Sequence, residues 1–218
     1  MVLGLRPGVS FCDIDGQLIF LDLEADRYFA LAPAAQEAFR MLWRAKSRHD
    51  PDADLPPSLP ISFLDSNAST RPVPCPSHIP QQSILDRQPG RANPLRLLAA
   101  LAMLLSARMT IRYRGLSAGI AAIAARKARM IEPIADHAAL PPIAAAFAKS
   151  ARFIRTHDQC LSRSVALASC LAQHGIAAEL VLAVQMRPFA AHSWVQQDAL
   201  LLNDRYENVR SYTPILVV

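Results

Sequence analysis

The chain has 218 residues, 52% hydrophobic and 19% charged, which is enough apolar material for one large or two small domains and excludes wholesale disorder. Its net charge of +5 comes from scattered arginines, without the run of about five or six like charges that marks a nucleic-acid arm. Cys12, Cys75, Cys160 and Cys170 form no CxxC spacing and no zinc-like cluster with the six histidines, so neither a metal site nor a disulfide framework is expected. Reduced cysteines place the chain in the cytoplasm.

The opening stretch MVLGLRPGVSFCDIDG lacks the apolar core and cleavage site of a signal peptide. Strand patterns follow at Val9–Cys12, Gln17–Leu23 (QLIFLDL) and Arg27–Leu31 (RYFAL), with turn chemistry at Asp15-Gly16 and Glu24–Asp26. Pro33 then opens a helix at its first position, and AAQEAFRMLWRA sets Ala35, Phe39, Leu42 and Trp43 on one stripe. The expectation is a small three-stranded antiparallel sheet followed by a helix.

Residues 50–94 hold 10 of the 17 prolines, a density that forbids long helices or a central strand. It leaves room for short helical turns around Ile61–Leu64 and Gln81–Arg87.

Helical patterns resume at 95–109, 115–131, 141–154 and 159–174, and Gly175 stands where a helix C′ glycine belongs. The most apolar stretch, Leu95–Met109, is interrupted by Arg96 and Arg108 and falls short of the ~20 residues that span a bilayer. It reads as a buried helix, with no membrane span. Strand patterns then appear at AELVLAVQM (178–186), HSWVQQ (192–197) and ALLLN (199–203), with a turn signal at Asp198. The fold class is α+β, with an expected division into 1–85, a linker at 86–94, and a domain of helices plus a small antiparallel sheet at 95–218.

One helix has an unusual start. In HDQCLSRSVALASCLAQHG (157–175), Asp158 is a plausible cap and Cys160 sits on the first turn. Ser162, Ser169 and Gln173 share a polar face, while Cys160 falls with Ser164, Leu167 and Leu171 on the inward side. Such a cysteine is either a small buried hydrophobe or a nucleophile, because helix-start amides lower a thiol pKa and can hold an oxyanion. A bridge to Cys170 is excluded, since ten helical residues separate the Cα atoms by roughly 15 Å against a limit of about 7 Å.

A nucleophile needs a base and the base an orienter. His192 and Asp204 supply them if the hairpin between them is closed by a three-residue loop, Gln197-Asp198-Ala199, which opposes His192 to Asp204. A two-residue loop opposes Asp204 to Ser193 and sends it to the other face. His157 and His174 compete as bases from Cys160's own helix, and Asn203 and Asp204 could be turn residues alone.

In this order and spacing, DQCLSRSVALASCLAQHGIAAELVLAV, AHSWVQ and LLLND resemble the transglutaminase-like cysteine protease domain of lasso-peptide biosynthesis B proteins. RYFALAPAAQEAFRMLW resembles the start of a precursor-recognition domain of the PqqD type, a winged-helix-like fold. The resemblance implies a single-chain leader peptidase in which Cys160 is the nucleophile, His192 the general base and then acid, and Asp204 the orienter. It implies that the leader binds as an added strand along Arg27, Tyr28, Phe29, Ala30 and Leu31, a mode an open sheet edge permits. Core packing is the default for the same alternating residues, and either role is open for Trp194, a shield over the site or a core residue. The implied partners are the leader segment of a precursor peptide and an asparagine-synthetase-like cyclase. No cofactor is bound, and ATP enters only through that cyclase. The chain departs from the resemblance at 50–94, where prolines stand in place of two further helices.

Two other classes fit part of the pattern. The same Cys-His-Asp set serves an acyltransferase with an amine acceptor in place of water. A non-enzymatic winged-helix-like module that binds peptide or nucleic acid is the other. Residues 33–46 carry Arg40, Arg44 and Lys46 but lack the glycine turn and recognition helix of such folds, so no nucleic-acid partner is expected.

Overall fold

Near its start the chain forms β1 (Val2–Leu5), β2 (Val9–Ile14), β3 (Gln17–Asp22) and β4 (Arg27–Ala30), then α1 (Pro33–Arg44). A computed structural model describes residues 2–44, 61–68, 72–76, 78–86, 93–130, 139–150 and 159–218. Contacts divide the chain into two units, Met1–Pro76 and Ser77–Val218.

In the first unit β2, β3 and β4 form the expected antiparallel sheet in that order. Asp15 (φ 50°) and Gly16 (φ 83°) close the β2–β3 hairpin, both in the left-handed region that a two-residue type I′ turn demands. Helix α1 latches onto this turn, where Gln36 Oε1 accepts from the Leu18 N–H at 2.9 Å and Arg40 donates to the Gly16 carbonyl. Asp22 organises the next turn by accepting from the Glu24 and Ala25 amides while pairing with Arg6 at 2.7 Å. Burial alone would raise the Asp22 carboxyl pKa, but the turn amides and Arg6 together bring it below its ordinary value.

The core of this unit is mostly aromatic. Phe11, Leu18, Phe20, Phe39 and Phe63 are buried together, with Phe39 edge-on to Phe11 and Phe20 at ring separations of 5.2 and 5.1 Å. Ala35, Phe39 and Trp43 of the expected helical stripe face it, and the side chain of Leu42 lies outside the described residues. The proline-rich segment contributes more than its composition suggests. A 3-10 turn at Ile61–Phe63 supplies Phe63 to the core, and β5 (Leu64–Ala68) pairs antiparallel with β1. That pair was not legible in the sequence.

The second unit begins with β6 (Gln82–Ser83) and a 3-10 turn at Ile84–Asp86. Then come α2 (Pro94–Lys127), α3 (Leu140–Ser150), α4 (Gln159–Gln173), β7 (Glu179–Met186), β8 (Phe189–Gln197), β9 (Leu200–Leu201), α5 (Tyr206–Val209) and β10 (Thr213–Val217). The α+β class holds. The contact boundary falls between Pro76 and Ser77, not at 85, because β6 pairs in parallel with β9.

Asn93 caps α2, its Oδ1 accepting from the Leu95 N–H at 2.9 Å, and Pro94 takes the first helical position. The helices expected at 95–109 and 115–131 are the two arms of α2, bent at Gly115 (φ 79°, ψ 168°), a conformation open to glycine. The second arm stops at Lys127, four residues early. Expected helical residues 151–154 lie outside the described set. Helix α4 ends in a Schellman motif. Gly175 is left-handed (φ 73°), its N–H reaches the Ala172 carbonyl, and the Ile176 N–H reaches the Leu171 carbonyl at 2.9 Å.

The sheet order is β10-β7-β8-β9-β6, antiparallel except for the β6–β9 pair. β10 was not expected because Pro214 interrupts its pattern, but at an edge a proline costs no ladder bond. Helix α4 packs against α2 and against β8.

Candidate active site

The hairpin carrying His192 has the shorter of the two loops considered. Gln197 pairs with Leu200 and Gln196 with Leu201, leaving a two-residue turn of Asp198 (φ 49°) and Ala199. The three-residue loop that would oppose His192 to Asp204 does not occur. Regular pairing would therefore put Asp204 opposite Ser193 and out of reach.

It does not continue. The Leu202 N–H still donates to the Val195 carbonyl at 2.9 Å, but the Val195 N–H is taken by the Asn203 side-chain carbonyl at 2.8 Å. A side chain replaces the ladder's next backbone acceptor, residues 202–204 bend away, and the parity rule lapses. Asp204 then turns back, and its Oδ2 lies 2.6 Å from His192 Nε2.

Buried hydrogen bonds fix this bend against α4. Asn203 Nδ2 donates to Ser164 Oγ at 2.9 Å, Ser164 Oγ donates to the Ser193 carbonyl at 3.0 Å, and Arg163 donates to the Asn203 carbonyl at 3.0 Å. Asp204 is held from two further elements. Ser83 of β6 donates to its backbone carbonyl at 2.6 Å, and Asn208 of α5 donates to its Oδ1 at 2.8 Å. The Arg205 N–H also reaches Oδ1 at 2.8 Å, so that oxygen is occupied and Oδ2 is directed at the imidazole.

Cys160 lies half-buried on the first turn of α4, with His192, Ser193 and the Leu161 N–H near enough to act on its thiol. With Nε2 bound to Asp204, the imidazole presents Nδ1 to the sulfur. Among the described residues the buried Ser193 hydroxyl has no hydrogen-bond partner.

The electrostatics follow from these contacts. Burial alone would raise the Cys160 thiol, but the bond to and the charge of His192, with Ser193 and Leu161, outweigh it and bring the thiol below its ordinary value. Burial alone would lower His192, yet Asp204 and Cys160 push it up to about 9. Asp204 is held below the ordinary carboxyl range because His192, Asn208 and the Arg205 amide outweigh its desolvation. These shifts favour the thiolate–imidazolium pair over its neutral form, and the thiolate is the nucleophilic form of a cysteine.

The other candidates lie elsewhere. His174, at the far end of α4, bonds the Cys170 carbonyl through Nδ1 at 2.8 Å, while His157 and Asp158 lie outside the described residues. Trp194 is fully buried and donates to Gln196 Oε1 at 2.7 Å, which makes it a core residue whose ring is near His192. Cys12 and Cys170 are buried with raised thiol pKa values, Cys12 up to about 12, and none of the four cysteines forms a disulfide. Among the described residues no group of three or more His, Cys, Asp or Glu could hold a metal.

In the first unit, β4 is a sheet edge and borders a groove of about 340 Å³. Arg27, Phe29, Ala30 and Leu31 line it with Ala35 of α1 and Phe63, whereas Tyr28 does not. Phe29 also stacks on Phe20 at 5.1 Å, so it closes the core as well as the groove.

Sequence reasoning missed Ser83, Ser164, Ser193, Asn203, Asn208 and Tyr212, whose ring lies 5.1 Å from that of His192. Asn203 carried a signal, a polar residue closing an apolar run, but it was read only as turn chemistry. Residues 101–217 match the family model described as the transglutaminase-like superfamily. No curated protein and no solved structure matches the chain.

Proposed function

Because the chain belongs to the transglutaminase-like superfamily, we propose that it is a cysteine peptidase that removes the leader from a ribosomally made lasso-peptide precursor. The observation that carries the reading is the 2.6 Å bond between His192 Nε2 and Asp204, which leaves the imidazole's other nitrogen for Cys160, a residue near enough for the two to shift each other's pKa. In this reading the Cys160 thiolate attacks the scissile carbonyl carbon, and amides at the start of α4 are the available donors to the oxyanion. His192 gives its proton to the departing amine, and a thioester remains on Cys160. Water attacks the thioester, His192 takes up the proton released, and the carboxylate product leaves as the thiolate re-forms. Asp204 stabilises the imidazolium throughout without being protonated.

Leader binding in this proposal uses the edge of β4, where an extended peptide adds a strand and side chains enter the groove beside Phe29 and Leu31. The new amino group would then be the substrate of an asparagine-synthetase-like cyclase, in the cytoplasm. ATP would be consumed by that partner and not by this chain.

The test is incubation of precursor with the full chain, read by mass spectrometry, beside Cys160→Ala. The variant should bind leader peptide and release nothing. Normal cleavage by Cys160→Ala overturns the reading. The superfamily's transglutaminase chemistry favours one alternative, acyl transfer to an amine by the same three residues. Products joined to an added amine, in place of hydrolysed ones, would establish it.

A further inference from the structure

We infer that α2 seats this protein on an anionic membrane surface. Among the described residues, eight large hydrophobic side chains stand exposed, and five of them, Leu95, Leu98, Leu105, Met109 and Tyr113, belong to α2. With the exposed Ala102 they recur at spacings of three or four along the first arm, and at about 100° per residue they form one stripe. Leu95 is 73% exposed at one end and Tyr113 71% at the other. Isolated surface hydrophobes need no explanation, but a continuous stripe does.

Charge identifies the occupant. Helix α2 contains no aspartate or glutamate, and Arg96, Arg108, Arg112 and Arg114 are all exposed. Arg108 and Arg112 border the stripe on one side, whereas Arg96 and Arg114 lie about 100° round the helix from its other margin, next to the packed side. Among the described residues none of the four has a carboxylate partner. An apolar stripe edged by arginines fits a helix lying in the plane of an anionic bilayer, its stems in the acyl boundary and the guanidinium groups of Arg108 and Arg112 at the phosphates.

The opposite side of the same arm excludes insertion across a bilayer. Ala100, Leu104 and Ala107 are buried, and α2 packs on α4 and α3. Although α2 is long and apolar enough to cross a membrane by length and composition, its packed side ties it to the domain. Contact is therefore face-on. A second copy of the chain is a poorer occupant, because the stripes would bring rows of arginines together with no acidic group on α2 to neutralise them.

This inference does not depend on the peptidase reading, and its test uses the full chain without substrate. Sedimentation with vesicles of phosphatidylcholine containing a third phosphatidylglycerol should carry the protein down, and vesicles of phosphatidylcholine alone should not. Arg108→Gln with Arg112→Gln should lower partitioning about 25-fold, at roughly fivefold per arginine. Leu98→Gln with Leu105→Gln should lower it on the order of 100-fold. Both variants should keep the wild-type melting temperature, since all four side chains are exposed. Absence of vesicle binding overturns the inference, as does equal binding to neutral vesicles or undiminished binding by either variant. A dimer in lipid-free sedimentation velocity that Leu98→Gln with Leu105→Gln dissociates would assign the stripe to self-association instead.

Discussion

His192 and Asp204 meet at 2.6 Å across a hairpin whose two-residue turn, followed regularly, would leave them on opposite faces of the sheet. Asn203 makes the difference. Its side chain occupies the Val195 N–H and so ends the ladder one residue before Asp204.

Asn203→Ala should therefore act on stability and on the site together. It leaves the buried Val195 N–H without its acceptor and Ser164 without one of its partners, at a cost of about 2–3 kcal/mol in urea unfolding. It should also lower turnover in proportion to how often Asp204 leaves His192. An unfolding midpoint equal to wild type would remove Asn203 from this role.

Asn208→Ala should separate orientation from stability. The exposed Asn208 side chain bonds, among the described residues, only Asp204 Oδ1, so the melting temperature should change little. Freed to rotate, Asp204 supports the imidazolium less well, and the His192 pKa falls. In steady-state kinetics kcat should drop severalfold with KM nearly unchanged, the alkaline limb should move to lower pH, and Asn208→Ser should restore part of both.

The pH dependence follows from the shifts on Cys160 and His192. In the proposed reaction the pair acts as thiolate and imidazolium, so activity should rise as Cys160 ionises below the ordinary thiol value and fall as His192 deprotonates near pH 9. The same raised histidine contributes stability that is fully present below its ordinary value of 6.5 and is lost as pH rises through about 9. Asp204, held low, contributes stability above the ordinary carboxyl value and loses it on acidification. Alkylation of Cys160 by iodoacetamide across pH measures the first limb without a substrate. His192→Ala should shift that limb upward, and an unchanged profile would mean that the imidazole does not set the thiol's ionisation.

The aromatic core of the first unit predicts a large truncation effect. Phe39 is fully buried against Phe11, Phe20 and Phe63, and Phe39→Ala should cost about 3–5 kcal/mol in denaturant unfolding of that unit. A loss below about 1 kcal/mol would show that the cluster closes over the gap.

The sequence by itself determined what is local. Strand patterns gave β2 and β3, an apolar β-branched run gave β7, Asp15-Gly16 gave a turn that needs two left-handed residues, and Gly175 gave the end of α4, because each depends on a few neighbouring residues. It also set Cys160 at a helix start and His192 at a strand position. Tertiary structure decided what depends on distant chain. β6 has two residues, too few to carry an alternation, and exists as a strand through its partner, while the strand expected at 199–203 keeps only Leu200–Leu201 in β9. The exposure of the α2 stripe, which the sequence read as core, was settled by the single side of that helix that α4 and α3 cover. Above all, whether Asp204 reaches His192 was set by one amide of Asn203 competing with a backbone carbonyl for the Val195 N–H. That competition involves groups eight residues apart on two strands, and no periodicity in the chain records its outcome.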